Sequence, residues 1–598
     1  MTVQNSVLMD AMERLRNRIL NHLQVIYRDL TQDQLEIHCD HLIKSMNIKE
    51  ERLNTTTRKN HWNQSDIAVI TYGDSIKKRG QAPLKTLKAF LDRYADGLMN
   101  IVHILPFFPW SSDDGFSVMD YKSVNESLGS WNDIKAISSD YDLMSDLVIN
   151  HCSSRSIWFT NFLKNADPGR EYFFTADRGD DLTQVVRPRT TPLLKKVSTS
   201  HGDKHVWCTF GEDQIDLNFK NPEVIKEFVK IIKLYLDNGV RIFRLDAVAF
   251  LWKVPGTGCV GLPETHEIIR LFRTLLEQCR EDALLVTETN IPNRENLSYF
   301  GNGNEAHCIY NFSLPPLLIN TLVTGDCAYL KQWMMSMPPA QDGTAYLNFI
   351  ASHDGIGLRP LEGLITPSEI KTLINTMQHF GAEISYRAVS EQEAIPYEIN
   401  ISLFDALKGT ISGPDSFGTQ RFICAHAIML GLEGIPAIYI HSLLGTENDY
   451  KKVKDSGQVR AINRHQYDFT TLEGLIKDPS THHGEILESL KKLIAIRRRQ
   501  PAFHPNATQF TLHLSNSIFG FWRQSPDRRQ SIFCVSNVTV NTQRLRSTSI
   551  NLIQTDSWVD LLTSQEISPN SRFIELAPLQ TLWISNESFF EESNRQTK

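Results

Sequence analysis

Charged side chains stand at the ends of short apolar runs in this sequence, which is where buried strands would end. Arg244 and Asp246 lie in one apolar segment, and Glu288 and Asp354 each follow another. A charged side chain inside an apolar strand is costly unless it is paired. Arg244 and Asp246 are two residues apart, so both side chains point to the same side of a strand. We therefore expect Asp246, Glu288 and Asp354 to face a single pocket.

Three carboxylates in one pocket have no use as a stabilising device, because like charges repel strongly in a low dielectric. They do suit glycosyl transfer, in which one carboxylate attacks the anomeric carbon and another protonates the leaving oxygen. Negative charge around them favours the oxocarbenium-like transition state of that reaction. Arg244 would keep the attacking carboxylate ionised and oriented. The cluster therefore indicates glycosyl transfer.

Each of these residues also has a structural interpretation. A single acidic residue after a strand is more often a helix cap, a turn residue or part of a surface ion pair than a catalyst. His151 alone is more often a structural histidine, and Arg244 with Asp246 could form only a buried ion pair. It is the joint placement on several strand ends that favours a catalytic site.

The elements that would position these residues are eight short β-rich runs that alternate with helical stretches. The runs lack strict polar alternation, which is typical of strands buried on both faces. Alternating strands and helices imply right-handed crossovers and a parallel sheet, and eight strands predict a closed (β/α)₈ barrel, a TIM barrel. The clearest helix is predicted over 222–237, with Asn221 at its N-cap and Gly239 just past its end. The eight runs are 67–72, 101–107, 146–150, 242–248, 284–289, 309–314, 347–352 and 437–443.

The rest of the chain predicts three additions to the barrel. Residues 1–66 form a helical N-terminal extension, residues 67–505 form the barrel, and residues 506–598 form a C-terminal antiparallel β domain. Residues 152–240 are too long for a simple crossover after the third strand, and we expect an inserted domain there. A second long excursion precedes the eighth strand. Both would rise at the C-terminal face of the barrel, where active sites lie.

Composition excludes several classes of protein. The chain has 598 residues, of which 41% are hydrophobic and 22% charged, which is ordinary for a globular protein and excludes a disordered chain. A net charge of −7 argues against nucleic-acid partners, and no run of 18 apolar residues could span a membrane. Nine scattered cysteines without a C-x-x-C pair indicate reduced thiols. We expect a cytoplasmic enzyme that uses no cofactor and no metal; a homodimer is left open.

Four segments, each at a predicted strand end and in this order, resemble the conserved stretches of the α-amylase superfamily: DLVINH (146–151), FRLDAVAF (243–250), TETN (287–290) and IASHD (350–354). The resemblance implies that Asp246 is the nucleophile and Glu288 the general acid/base. It also implies that Asp354 stabilises the transition state by binding sugar hydroxyls. The 152–240 insertion would be the domain B of that superfamily, and the C-terminal β unit its domain C.

A finer resemblance, over about residues 67–500, is to the sucrose-phosphorylase branch of that superfamily. It rests on VHILPFFPWSSDDGFSVMDY (102–121), SLGSW (127–131), VVRPR (185–189), YNFSLPPLL (310–318), SHDGIGL (352–358) and AINRH (461–465). The resemblance implies a glucose subsite made by Asp113, Phe116, His151, Phe210, Arg244, His353 and Arg464. It implies phosphate contacts from Arg189 and Tyr397, since a guanidinium fork suits a phosphate dianion. Without the resemblance, Arg189 could equally be a solvated surface arginine.

The implied reaction is retaining phosphorolysis of a small α-glucoside. Asp246 displaces the leaving alcohol while Glu288 donates its proton, and inorganic phosphate then attacks the β-glucosyl-enzyme to give α-glucose 1-phosphate. Phosphate arrives as an anion, so Glu288 need not deprotonate it as fully as it would water. The partners expected are therefore the α-glucoside, inorganic phosphate and α-glucose 1-phosphate.

One loop departs from the sucrose-active pattern, and the acceptor prediction depends on it. Ile395 stands where an acceptor-binding aspartate would be, Tyr397 matches a tyrosine, and Glu398 replaces a glutamine. The sequence of this region resembles that of the glucosylglycerol and glucosylglycerate phosphorylases. Glu398 adds negative charge near the acceptor, which favours neutral glycerol over glycerate. The preferred substrate predicted is 2-O-α-D-glucosylglycerol, with glucosylglycerate, sucrose and sucrose 6-phosphate as alternatives.

Two further interpretations compete with a phosphorylase. An α-glucosidase or a transglucosylase of the same superfamily would use the same carboxylates, and phosphate dependence would separate them. A catalytically dead sugar-binding barrel belongs to a different class of protein. Such proteins commonly lose a catalytic carboxylate, whereas all three are present here, so this interpretation is disfavoured.

Overall fold

The computed structural model describes residues 2–50, 53, 59–177, 179–389, 393–550, 552 and 557–587, without the side chains of residues 2–10. Part of the N-terminal extension, at residues 54–58, and the end of the predicted C-terminal domain, at residues 588–598, lie outside the described residues. All statements below concern the described part of the chain.

Eight parallel strands close into a barrel, which confirms the predicted (β/α)₈ fold. The strands are β1 Ala68–Thr71, β2 Ile101–Ile104, β3 Asp142–Val148, β4 Val240–Asp246, β5 Leu284–Thr287, β6 Cys308–Tyr310, β7 Ala345–Asn348 and β8 Ile435–Tyr439. Their order around the barrel is β1-β8-β7-β6-β5-β4-β3-β2, and β2 pairs with β1 to close it. Each strand ends before its apolar run does, because the last residues of the run turn into the loop above.

The helices of the barrel lie between these strands. The helix predicted over 222–237 is confirmed as Pro222–Asp237, and its N-cap Asn221 accepts a hydrogen bond from the Glu223 N–H. Helices that follow β1 to β5 are Pro83–Tyr94, Trp131–Ser138, Ile157–Lys164, Pro222–Asp237, Pro263–Cys279 and Asn293–Leu297. Helices that follow β6 to β8 are Leu314–Thr324, Ala328–Ser336, Pro367–His379, Leu403–Ala406, Gly418–Gly431, Ile440–Leu443, Tyr450–Ser456, Phe469–Lys477 and His482–Arg497.

Two long connecting segments, one between β3 and β4 and one between β7 and β8, carry small sheets above the C-terminal ends of the strands. We call these two segments the excursions. After β3, strand His151–Ser153 pairs with Gln214–Asp216, and Leu194–Thr199, Gly202–Trp207 and Thr175–Ala176 form a three-stranded sheet. Between β7 and β8, strand Ala394–Asn400 pairs with both Ile356–Gly357 and Glu383–Ala388. Among the described residues, a main-chain hydrogen bond from the Ala388 N–H to Arg189 O at 3.4 Å joins the two excursions. The excursions therefore meet over the mouth of the barrel.

Two N-terminal helices pack on the side of the barrel. The helices α1 (Thr2–Ile26) and α2 (Gln32–Ser45) precede the first strand, as the sequence predicted. His22 Nδ1 lies 2.5 Å from Glu267 Oε1, and the Tyr27 hydroxyl donates to the Phe219 carbonyl oxygen at 3.0 Å. The extension thus contacts the helix between β4 and β5 and the segment that precedes the helix before β4.

Antiparallel strands follow the last helix, as predicted. A six-stranded sheet contains Thr508–Thr511, Ile518–Gln524, Ser531–Asn537, Thr581–Ser585, Trp558–Asp560 and Glu566–Ile567, and a two-stranded sheet pairs Gln543–Arg546 with Phe573–Leu576. Residues of both sheets form a separate apolar core around Phe533, Leu545 and Ile584. We propose residues 1–66, 67–505 (with 152–240 inserted) and 506–598 as the domain divisions.

Candidate active site

A cavity of about 590 Å³ opens at the C-terminal end of the barrel, between the two excursions. Most residues predicted for the site line it: Asp113, Phe116, His151, Arg189, Phe210, Asp246, Glu288, His353, Asp354, Tyr397 and Glu398. Two predicted residues, Arg244 and Arg464, lie behind this lining.

Asp246 and Glu288 face each other across one guanidinium group. Arg244 Nη1 donates to Asp246 Oδ1 at 2.7 Å, and Arg244 Nη2 lies 3.8 Å from Glu288 Oε2. Only 7% of Asp246 and 9% of Glu288 are exposed, and that exposure is to the cavity. The two carboxylates therefore lie beside the same guanidinium group, face the same cavity and are largely shielded from water.

The backbone after β4 fixes the position of Glu288. Ala247 adopts a left-handed conformation with φ 49°, which is unusual for a residue with a side chain. This turn directs the Ala247 N–H to Glu288 Oε2 at 2.8 Å. Strained backbone of this kind concentrates at functional sites, where the surrounding structure holds it. The contact engages Glu288 Oε2 and fixes the orientation of the carboxyl group.

Arg244 is itself held from behind by a buried carboxylate. Asp146, on β3 opposite Arg244 in the strand register, forms an ion pair with Arg244 Nη1 and lies 2.7 Å from His103 Nε2. Burial pushes the pKa of Asp146 upward, but Arg244 and His103 more than offset it and hold that pKa below its usual range. Asp146 thus stays ionised and keeps the guanidinium in place under the pocket.

Burial raises the pKa of both Asp246 and Glu288, while Arg244 opposes the rise in each. Two carboxylates this close together do not both ionise easily, so the pair retains one proton. Arg244 makes its direct hydrogen bond with Asp246, whereas Glu288 is 3.8 Å from the guanidinium. We therefore assign the proton to Glu288 and the negative charge to Asp246.

Asp354 completes the carboxylate cluster and is held by a second arginine. Arg460 Nη1 lies 2.7 Å from Asp354 Oδ1. Burial opposes ionisation of Asp354, yet the cationic neighbours and His353 hold its pKa well below the usual range. Asp354 is therefore held in its ionised form, in which both oxygens can accept hydrogen bonds.

Aromatic and imidazole rings form the wall on the other side of the cavity. His353 and Phe116 stack with centroids 5.0 Å apart and an interplanar angle of 3°. Burial lowers the pKa of His353 to about 3 and also lowers the pKa of His151, so both rings are neutral. Gln214 Nε2 lies 3.2 Å from His151 Nε2, and Phe210 packs against the same imidazole with centroids 5.3 Å apart. The wall offers neutral hydrogen-bonding groups and flat apolar faces, which suit a sugar ring.

Arg464, which was expected to help form the glucose subsite, lies behind the cavity lining. Only 1% of the residue is exposed, and its Nη1 donates to Asp114 Oδ2 at 2.8 Å while its Nε donates to the His353 carbonyl oxygen at 2.9 Å. Arg464 Nη1 lies 3.9 Å from Asp113. Since Asp113 lines the cavity, Arg464 supports the pocket from behind by fixing Asp113 and His353.

Arg189 enters the cavity between two aromatic rings. Its guanidinium carbon lies 5.8 Å from the Phe210 centroid and 5.6 Å from the Tyr397 centroid. Its Nη1 donates to the Pro188 carbonyl oxygen at 3.1 Å, and no carboxylate of the described residues forms an ion pair with it. Arg189 is therefore a positive charge inside the pocket, not a solvated surface arginine.

Glu398 does not present an unopposed negative charge to the acceptor, because it is paired with an arginine that the sequence did not indicate. The residue is 1% exposed, and its Oε2 accepts from Arg460 Nε at 3.0 Å while its Oε1 accepts from Arg460 Nη2 at 2.5 Å. A bidentate pair of this kind engages both carboxylate oxygens of Glu398. The same guanidinium also pairs with Asp354. Glu398 therefore gives no physical reason to prefer a neutral acceptor.

The lining residues that the sequence did not predict include Arg460, Gln214 and Asn290. Arg460 directly precedes the AINRH segment and occupies the 3₁₀ turn Val459–Asn463, so a basic residue four positions before Arg464 was the available signal. Asn290 ends the TETN segment, and its Nδ2 lies 3.5 Å from the Tyr397 hydroxyl. Gln214 had no signal in the sequence, because it reaches the pocket only through strand pairing with the segment after His151.

Nothing in the described ranges suggests a resident metal. Groups of three or more His, Cys, Asp and Glu side chains placed to hold an ion were not found among those residues. Nor does any described helix have the length and apolar character needed to cross a membrane.

An eight-stranded parallel barrel, with a long insertion after β3 and three carboxylates at its mouth, is the architecture expected for the α-amylase superfamily. The α-amylase catalytic domain matches residues 92–356. A crystal structure of sucrose 6F-phosphate phosphorylase from Thermoanaerobacter thermosaccharolyticum superposes with a TM-score of 0.69 at 27% sequence identity, covering 79% of this chain and 94% of that one.

Relatives over most of the chain narrow the class to a family. Glucosylglycerate phosphorylases from Spirochaeta thermophila and Allomeiothermus silvanus are 39% and 42% identical, covering 87% and 84% of this chain and 90% of each relative. A glucosylglycerol phosphorylase from Marinobacter adhaerens is 30% identical, covering 76% of this chain and 92% of that one. The chain belongs to the sucrose-phosphorylase-like glycoside phosphorylases of the α-amylase superfamily.

Proposed function

We propose that this phosphorylase cleaves 2-O-α-D-glucosylglycerate with inorganic phosphate, retaining configuration, to give α-D-glucose 1-phosphate and D-glycerate. The observation that carries the proposal is an unmatched cation, Arg189, in the same cavity as the Asp246–Glu288 pair. A pocket that binds an anion beside a glycosyl-transfer pair is suited to phosphate and to a charged acceptor.

The first half-reaction forms a covalent intermediate. Asp246 attacks the anomeric carbon, the bond from that carbon to the glycerate oxygen breaks, and Glu288 gives its proton to the departing oxygen. Arg244 keeps Asp246 ionised until the new bond forms. Asp354 accepts hydrogen bonds from sugar hydroxyls, and these strengthen as positive charge develops on the ring. The product is a β-glucosyl ester on Asp246.

The second half-reaction restores the enzyme. Phosphate enters as the hydrogen phosphate dianion, and one unprotonated oxygen attacks the anomeric carbon while the ester electrons return to Asp246. The remaining phosphate proton passes to Glu288, which regains its acid form. Two inversions at one carbon give net retention. Arg189 holds the phosphate, and the aromatic residues Phe210 and Tyr397 around it limit entry of water.

Two observations favour glycerate over glycerol as the acceptor. Both oxygens of Glu398 are bonded to Arg460, whereas Arg189 lines the cavity without an ion pair to any described carboxylate. The relatives named glucosylglycerate phosphorylase are 39% and 42% identical to this chain, whereas the one named glucosylglycerol phosphorylase is 30% identical. Glucosylglycerol, sucrose and sucrose 6-phosphate remain the alternative substrates, and hydrolysis or transglucosylation the alternative reactions.

Acceptor selectivity provides the test of this proposal. With α-glucose 1-phosphate as donor, we expect kcat/KM for D-glycerate to exceed that for glycerol by about 10- to 100-fold, since a hydrogen bond to a charged group contributes roughly 1.5–3 kcal/mol. Phosphate release is measured for D-glycerate, glycerol, fructose and fructose 6-phosphate in parallel. Faster transfer to glycerol, fructose or fructose 6-phosphate than to glycerate would contradict the substrate, and glucose release without phosphate dependence would contradict the reaction.

A further inference from the structure

We propose that Arg189 forms one anion subsite that holds the acceptor carboxylate and inorganic phosphate in turn, so that this enzyme selects 2-hydroxycarboxylates as a class. The inference rests on the proposed function and deepens it. It predicts that the carboxylate has no separate binding site, and that phosphorolysis is an exchange of anions on a single guanidinium group.

The ion pairs around the cavity leave one lining cation, Arg189, available to bind an anion. Arg244 is matched by Asp146 and Asp246, and Arg460 is matched by Glu398 and Asp354. Burial keeps the two lining histidines neutral. Within the described lining of the cavity, Arg189 is left as the cation that no carboxylate neutralises. Two anions must be bound in successive half-reactions, and one guanidinium is available for both.

Arg189 is also placed to make a directional contact. Phe210 and Tyr397 flank its guanidinium, with ring centroids 5.8 and 5.6 Å from Cζ. These rings restrict the group without using its N–H bonds, apart from the Nη1 contact with the Pro188 carbonyl. A guanidinium held in this way offers two parallel N–H donors to a carboxylate or a phosphate.

The neighbouring polar atoms can bind the rest of a glycerate molecule. Asn290 Oδ1 is buried and has no hydrogen-bond partner among the described residues, and it lines the cavity. Burial raises the pKa of the Tyr397 hydroxyl to about 12, so that hydroxyl remains a donor. A buried acceptor without a partner is costly. The terminal hydroxyl of glycerate would supply the missing donor to Asn290, which predicts that glycerate is a better acceptor than lactate.

The two anions have a common shape. In phosphate, the attacking oxygen shares one central atom with the oxygens that contact Arg189. In a 2-hydroxycarboxylate, the attacking hydroxyl lies on the carbon next to the carboxylate, so the same two anionic oxygens stand beside it. A 3-hydroxycarboxylate places the hydroxyl one carbon farther away. It cannot present that hydroxyl to the anomeric carbon while its carboxylate occupies the fork of Arg189.

The experiment compares acceptors on the full-length chain with α-glucosyl fluoride as donor, because departure of fluoride needs no contact with Arg189. The acceptors are phosphate, D-glycerate, D-lactate, glycolate, 3-hydroxypropionate and glycerol. In the unmodified protein, we expect the three 2-hydroxycarboxylates to be glucosylated, D-glycerate best. 3-Hydroxypropionate should have a kcat/KM at least about tenfold below that of glycolate, as expected from loss of one charge-assisted hydrogen bond. Equal use of glycolate and 3-hydroxypropionate would overturn the shared subsite without any variant.

The Arg189→Gln variant tests whether both anions use the same group. We expect kcat/KM for phosphate and for D-glycerate to fall together by about 10- to 100-fold, while transfer to glycerol changes less than about threefold. Arg187→Gln, in the same loop but outside the cavity lining, is the matched control and should change none of these values. A loss for phosphate alone, with glycerate transfer unchanged, would overturn the shared subsite and leave the proposed substrate standing. Glycerol transfer with no glycerate transfer in the unmodified protein would instead refute the proposed substrate.

Discussion

Replacing Asp246 with Asn is expected to lower kcat for phosphorolysis by about 10⁴- to 10⁶-fold, the range for loss of a covalent nucleophile. The amide has nearly the same shape as the carboxylate but cannot form the glucosyl ester. Release of α-glucose 1-phosphate from the glucoside, followed with a coupled assay, measures the loss. The fold should persist, because Arg244 keeps its second partner Asp146.

The stability of this variant provides an internal control. Burial raises the pKa of Asp246, so ionising this carboxyl group in the folded state costs free energy. Removing that charge should leave the unfolding temperature unchanged or raise it, as is common when an active-site charge is lost. Asp455→Asn, which removes an exposed partner of Lys451, is the surface control and should affect neither activity nor unfolding. Phosphorolysis within about tenfold of the unmodified rate would remove Asp246 from the nucleophile role.

Replacing Glu288 with Gln is expected to lower kcat/KM for the glucoside by roughly 10²- to 10⁴-fold, the usual contribution of a general acid. The loss arises because the alkoxide of the acceptor is a poor leaving group without a proton. Fluoride leaves without protonation, so the same variant should still transfer glucose from α-glucosyl fluoride to phosphate at near the unmodified rate. The ratio of the two activities is the measurement.

The pH dependence of the unmodified protein follows from the same residue. Glu288 must be protonated, and burial raises its pKa, so activity on the glucoside should persist above the usual carboxyl range and fall as pH rises through the raised value. The apparent pKa belongs to the Asp246–Glu288 pair as a whole. Glu288→Gln with the fluoride donor should lack this alkaline decline. Equal losses on both donors, or an unchanged alkaline limb in the variant, would contradict the role of Glu288 as the acid.

The barrel and the carboxylates could be predicted from the sequence because both depend on local pattern. Strands buried on both faces produce continuous apolar runs, and a charged residue interrupts such a run only where it is paired. The runs therefore located the strands, and their polar ends located Asp246, Glu288 and Asp354. The strand limits were less accurate, because an apolar run does not distinguish the end of a strand from the buried loop residues that follow it.

The acceptor side could not be predicted in the same way. Glu398 looked like a negative charge facing a ligand, but its partner Arg460 lies 62 residues further along the chain. The sign of the charge at one position gives no information on the local potential until its partner is known. Arg464 and Arg460 were similarly indistinguishable in the sequence, since which of two arginines on one turn reaches a cavity depends on how that turn packs.

The most direct test of the central claim is to identify the residue that carries glucose during the reaction. Glu288→Gln is mixed with α-glucosyl fluoride in the absence of phosphate, quenched in acid, digested and examined by mass spectrometry. The account predicts one glucosyl unit on the peptide that contains Asp246, which disappears when phosphate is added before the quench and yields α-glucose 1-phosphate. A glucosyl unit on Asp354 or another residue, or β-glucose 1-phosphate as the product, would contradict it.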